Sequence, residues 1–76
     1  MNKQEFLNEL TEIMQLDETI TEDAVLNDYP EWDSMAYLGT ISFFDIEFSK
    51  EVSVEELKKI RTVAQLIAVY GEDLAV

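Results

Sequence analysis

Phe6, Leu7, Leu10, Ile13 and Met14 recur at i, i+1, i+4, i+7 and i+8 in "NKQEFLNELTEIMQL", with Glu5, Glu9 and Glu12 on the other side. That is one face of an α-helix, and it predicts a helix over about 3–15. The pattern then loses its period. Residues 17–33, "DETITEDAVLNDYPEWD", are rich in acids and threonine, with Pro30 near the end, and read as a long loop. Ile20, Val25, Leu26, Tyr29 and Trp32 are apolar within it. A loop this long in so short a chain must pack some of them on the core, and "TITEDAV" can hold a short helical turn. A second helix is expected over about 34–47. Ser53 is placed to cap a short third helix, and Ser53-x-x-Glu56 matches a capping box. Thr62 is placed to cap a fourth helix, whose apolar face is Val63, Leu66, Ile67 and Tyr70, with Gly71 as its stop. No segment alternates as a half-buried strand would. The expected fold is all-α: one domain over 1–76, a small four-helix bundle with a long first loop and a short third helix.

The second helix has apolar residues to spare. At about 100° per residue, Tyr37, Leu38, Ile41, Phe44 and Phe48 gather on one side as the expected core face, with Phe43 nearby. Met35, Gly39, Ser42 and Ile46 form a second stripe at i, i+4, i+7 and i+11. A small bundle cannot bury both faces. An exposed stripe beside Asp45 and Glu47 reads as a partner-docking surface; the alternative is that Met35 or Ile46 packs under the long loop. A mid-helix glycine costs about 1 kcal/mol relative to alanine, so Gly39 needs a close neighbour. The third helix, a partner, or a group attached to Ser34 would each serve.

Charge narrows the partners. The formal net charge is −12, and no lysine or arginine lies between Gln4 and Ser49; the five basic residues are Lys3, Lys50, Lys58, Lys59 and Arg61. Phosphate backbones and anionic membranes repel such a surface, so neither nucleic acid nor membrane is expected as a partner. A basic protein patch fits it, although acidity by itself also keeps a small domain soluble. With no cysteine or histidine, Ser-His and Cys-His catalysis and the usual transition-metal sites are excluded, and the chain is not expected to be an enzyme. In "DETITEDAVLND" the sixth position of an EF-hand-like loop is Glu22 where glycine is needed. Lys3 is followed by Glu5 and Glu9 without an apolar signal region, and no apolar run reaches transmembrane length. The expectation is a soluble, cytoplasmic monomer.

Asp33 and Ser34 precede the second helix. Both are favoured N-caps, so the pair fits a purely structural role. A helix N-terminus also favours phosphate through its free N–H groups and dipole, so a phosphodiester on Ser34 would be tolerated there despite the surrounding acids.

The stretch "DSMAYL" resembles the Asp-Ser-Leu-type attachment motif of acyl carrier proteins and related carrier domains. The likeness extends beyond the motif. It includes the first helix, the long acidic loop, Phe48 closing the second helix, and "EVSVEELKKIRTVAQLIAVY", which follows the family pattern of an acid–apolar pair, a short acidic third helix, an isoleucine and a Thr-Val start to the fourth. It runs without gaps from residue 33 to about 70. The resemblance implies that Ser34 carries 4′-phosphopantetheine, added from coenzyme A by a phosphopantetheinyl transferase, and that Asp33 assists the attachment near that enzyme's Mg²⁺. The arm's thiol would hold acyl intermediates as thioesters, as in fatty acid or polyketide assembly. The other partners would be enzymes that load and transfer them.

Four positions depart from the fatty-acid members of that family. Trp32 stands where they usually have glycine two residues before the serine. Gly39 and Ile46 stand among positions where they carry acids, although Asp45 and Glu47 remain. Met35 replaces leucine, as in some carriers of activated D-alanine. Together these favour a stand-alone carrier for a specialised pathway with a more apolar interface. Alternatives are an aminoacyl, peptidyl or D-alanyl carrier, and an unmodified acidic adaptor that binds through the second helix. The aromatics Tyr29, Trp32, Tyr37, Phe43, Phe44 and Phe48 crowd the expected core, which predicts a short, polar or aminoacyl cargo held outside the bundle.

Overall fold

Local capping chemistry sets where the helices begin. In the computed structural model, which describes residues 2–70, α1 (Lys3–Met14) starts at a reciprocal capping box. Asn2 Oδ1 accepts from the Glu5 N–H at 2.8 Å, and Glu5 Oε1 accepts from the Asn2 N–H at 3.3 Å. Asp33 caps α2 (Ser34–Phe48). At α3 (Val54–Lys59), Ser53 Oγ accepts from the Glu56 N–H at 3.2 Å. At α4 (Val63–Tyr70), Thr62 Oγ1 accepts from the Gln65 N–H at 3.2 Å, while Gln65 Oε1 accepts from the Thr62 and Arg61 N–H groups. The expected caps at Ser53 and Thr62 are therefore in place. Helices α1 and α2 both end on a left-handed residue, Gln15 and Ser49, which turns the chain without glycine. The described residues are mostly helical, with four α-helices and no strand. The side chain of Tyr70 and the stop at Gly71 lie outside what the structure describes. Among the described residues no helix is long and apolar enough to cross a membrane.

The core gathers Phe6 and Leu10 from α1, Phe44 from α2, Leu57 from α3, and Val63 and Leu66 from α4, together with Leu26 of the loop. Phe6 lies 5.6 Å from Phe43 and 5.8 Å from Phe44, centroid to centroid, and Phe48 closes the aromatic group 5.7 Å from Phe43. These are the tilted and edge-on contacts that aromatic pairs prefer. The radius of gyration is 11.1 Å, close to the ~11 Å that a packed chain of this length reaches.

The long loop is threaded through this core. Ile20, Leu26 and Trp32 are buried, Tyr29 is partly buried and Val25 is exposed. Its helical turn lies at Leu26–Asp28, just past "TITEDAV". The displacement follows from long-range hydrogen bonding. The Leu26 N–H donates to the Arg61 carbonyl at 2.8 Å, while the Glu22 and Ala24 carbonyls accept from the Ala64 and Val63 N–H groups, which the first turn of α4 cannot satisfy itself. Thr11 ties the other end of the loop. Its Oγ1 donates to the Leu7 carbonyl at 2.7 Å and accepts from the N–H of buried Ile20 at 2.9 Å. Thr11→Val would strand that N–H and is expected to cost about 1–3 kcal/mol in denaturant unfolding, with Thr11→Ser recovering most of it.

One expectation about α2 is corrected. Its buried residues are Ala36, Thr40, Phe43 and Phe44, whereas Leu38, assigned to the core face, is 63% exposed. Tyr37, Ile41 and Phe48 are only partly buried. The true core face is therefore rotated toward Ala36 and Thr40. Two small side chains let the neighbouring elements approach, and the Thr40 hydroxyl is satisfied within its own helix, donating to the Ala36 carbonyl at 2.8 Å.

Candidate functional site: the start and outer face of the second helix

The pair at residues 33 and 34 divides its labour. Asp33 has extended backbone and is the N-cap. Its Oδ1 accepts from the Met35 N–H at 3.1 Å and the Ala36 N–H at 3.2 Å, leaving Oδ2 outside both bonds. Ser34 is the first helical residue, exposed, and among the described residues its hydroxyl has no hydrogen-bond partner. Of the two capping candidates in the sequence, the aspartate takes the role. The serine is a free primary hydroxyl fixed at the start of a 15-residue helix whose dipole favours negative charge at that end. That combination fits a bulky phosphodiester on Oγ, which needs an accessible oxygen that is not already holding the fold together.

The outer stripe starts one residue further on. Met35 is 76% exposed and Ile46 is 74% exposed, so neither packs under the loop. They stand about 16 Å apart along the helix axis. Ser42 lies exposed between them, and Leu38 joins them on the same side, which extends the apolar surface beyond the stripe read from the sequence. Asp45 is exposed on the flank of the stripe. Glu47, also exposed, is turned about 100° from Ile46 toward the opposite flank.

Gly39 sits at the edge of the stripe. Its close neighbour is none of the three expected. A Cβ built there would lie 2.9 Å from Ile13 Cγ2, so the glycine lets α1 approach α2. Gly39→Ala is expected to lower thermal stability, because Ile13 is stiff at χ1 and its methyl cannot swing aside freely. In an Ile13→Ala background the same change should raise stability, by up to about 1 kcal/mol, as helix propensity then acts alone. A double-mutant cycle by denaturant unfolding measures that reversal of sign.

On the other flank of α2 an open groove of about 590 Å³ runs between this helix and the segment leading into α3. Leu38, Ile41 and Val52 supply its apolar wall, and Ser42, Ser53 and Glu56 supply polar groups. It begins at Leu38, about 6 Å along the axis from Ser34. Glu31, Asp33, Asp45 and Glu47 are all exposed, so the site's electrostatics come from their summed charge. Sequence reading missed Leu38 as a surface residue, and it missed Trp32 and Tyr37 as a pair, whose ring centroids lie 5.1 Å apart at an interplanar angle of 89°. The spacing of that pair across the cap was the available signal. No protein-family model, curated protein or solved structure matches this chain.

Proposed function

We propose that the chain is an acyl-carrier-like protein on which Ser34 holds a 4′-phosphopantetheine arm, and that partner enzymes dock on the outer face of α2. The observation that carries this reading is the split between Asp33 and Ser34. The cap is supplied by the aspartate, so the serine hydroxyl is left accessible and chemically uncommitted at a helix N-terminus. The arrangement of helices and the long loop agree with the carrier-domain pattern that the sequence resembles. When bound, the arm would supply a thiol that holds acyl groups as thioesters. This chain's residues would do the rest: Ser34 Oγ anchors the phosphodiester, Asp33 keeps the first turn of α2 in place and offers Oδ2 toward the transferase's metal, and Met35, Leu38 and Ile46 present an apolar surface in an acidic field. The groove along Leu38, Ile41 and Val52 lies within reach of an arm at Ser34. It is open to solvent, while the phenylalanines fill the core, which supports a short or aminoacyl cargo kept outside the bundle. Incubation with a phosphopantetheinyl transferase, coenzyme A and Mg²⁺ tests the reading by intact mass. A gain of one phosphopantetheinyl group on Ser34 supports it; an unchanged mass with a transferase that modifies a control carrier rejects it.

The exposure of Met35, Leu38 and Ile46 also suits a second reading, an unmodified acidic adaptor that binds a basic partner through α2. The same mass measurement separates the two.

A further inference from the structure

Two residues before Ser34, the chain buries its single tryptophan. Trp32 is 6% exposed, between exposed Glu31 and exposed Asp33. The preceding turn turns it inward: the Trp32 N–H donates to the Tyr29 carbonyl at 3.0 Å, with Pro30 at the second position of the turn, where its fixed φ is favourable. Across the cap, the indole meets Tyr37 edge to face, with centroids 5.1 Å apart. With Asp33 as N-cap, Trp32 is the residue just before the cap and Tyr37 is the fourth helical residue. That is the spacing of a hydrophobic staple, a contact that fixes the angle at which a chain joins its helix.

The indole is held for its shape. Trp32 Nε1 is the one buried side-chain nitrogen or oxygen without a hydrogen-bond partner among the described residues. A buried donor left unpaired is unfavourable, so the ring is retained here without any hydrogen bond from its N–H.

We infer that the Trp32–Tyr37 staple holds Asp33 on the first-turn amides and Ser34 outward, and that Trp32 is a positioning residue for group transfer to the Ser34 hydroxyl. The transfer half of this inference rests on the carrier reading; the staple itself does not. Without the staple, the segment between the turn and α2 would pivot about Asp33. The cap would open part of the time and Ser34 would be presented at a spread of angles. The docking residues Leu38 and Ile46 lie beyond the first turn of α2 and would be unaffected. Met35 is read by a partner through its exposed side chain and not through the amide that the cap holds, so the loss should fall mainly on turnover.

The test compares Trp32→Phe, Trp32→Ala and Tyr37→Ala in the full chain. Two readouts are needed: hydrogen exchange of the Met35 and Ala36 amides, and kcat and KM for phosphopantetheinyl transfer. Opening the aromatic contact should accelerate exchange at those two amides by roughly tenfold in both alanine variants and lower kcat by a similar factor with KM little changed. Trp32→Phe keeps a ring against Tyr37 and discards the unpaired N–H, so it should stay within about twofold of the wild type in both. If Trp32→Ala fails to fold, Tyr37→Ala, whose side chain is only partly buried, decides by the same criteria. Unchanged exchange at Met35 and Ala36 in the folded alanine variant overturns the staple. Equal losses in Trp32→Phe and the alanine variant show that a ring against Tyr37 is not sufficient, and overturn the aromatic contact as what holds the cap. A wild-type chain that accepts no arm defeats the carrier reading and with it the positioning role, while the exchange rates still decide the staple on their own.

Discussion

Ser34→Ala is expected to abolish attachment of a phosphopantetheinyl group and to leave the fold intact. The two halves of that result come from separate facts. Loss of attachment follows if Ser34 Oγ is the acceptor, since alanine has no nucleophilic oxygen. Retention of the fold follows from the position of the side chain, which is exposed and has no hydrogen-bond partner among the described residues. Alanine is also a better helix former by a few tenths of a kcal/mol, so the melting temperature should hold or rise slightly. Had Ser34 been the N-cap, the same substitution would cost about 1 kcal/mol and lower the melting temperature visibly. Intact mass and a thermal melt on one preparation therefore measure both claims. A mass gain on Ser34→Ala, traced to Ser42, Ser49 or Ser53, would place the attachment site elsewhere and end the reading.

The parts of this chain that were legible in its sequence are those decided by neighbours in sequence. Helix α1 starts at Lys3 as its periodicity predicts, and the expected capping residues Ser53 and Thr62 precede α3 and α4, because an N-cap needs only a side-chain oxygen and an N–H a few residues on. The face that α2 buries was not legible. The helix carries apolar residues all round, and a wheel weighted by side-chain size favours Leu38 over Ala36 and Thr40. What decides is the approach of other elements: Ile13 against Gly39, and Phe6 against Phe43 and Phe44. Small residues permit that contact, and hydropathy gives them little weight. The loop's path was hidden for a related reason. Its turn at Leu26–Asp28 is pinned by a bond to the Arg61 carbonyl, 35 positions away, that no local pattern announces. At the site the motif was legible and the assignment within it was open, since Asp33 and Ser34 are equally good caps in isolation. The geometry of Oδ1 against two successive amides separates them.

Met35→Ala, Leu38→Ala and Ile46→Glu are each expected to raise KM for phosphopantetheinyl transfer by roughly thirtyfold where the residue is a desolvated anchor, since such anchors are worth about 2 kcal/mol. All three side chains are exposed, so circular dichroism and melting should report an intact fold. Asp45→Lys should have a smaller effect, because exposed ion pairs are usually worth less than about 1 kcal/mol and are screened by salt. The acids still matter for encounter. α2 carries Asp45 and Glu47 and no basic residue, although Lys50 lines the groove beside it, and raising the salt concentration should slow association of a basic enzyme without changing which residues anchor it. The contrast between the variants assigns the interface. Apolar losses with a mild Asp45→Lys effect mean that α2 docks by burying Met35, Leu38 and Ile46. If the three apolar variants transfer like the wild type while Asp45→Lys abolishes transfer, recognition is electrostatic and the exposed stripe serves some other contact. Ile46→Glu is the sharpest of the three, because it removes an apolar side chain and adds a further acid to an already acidic face. A partner that reads charge would tolerate or welcome it, and one that buries the stripe would reject it.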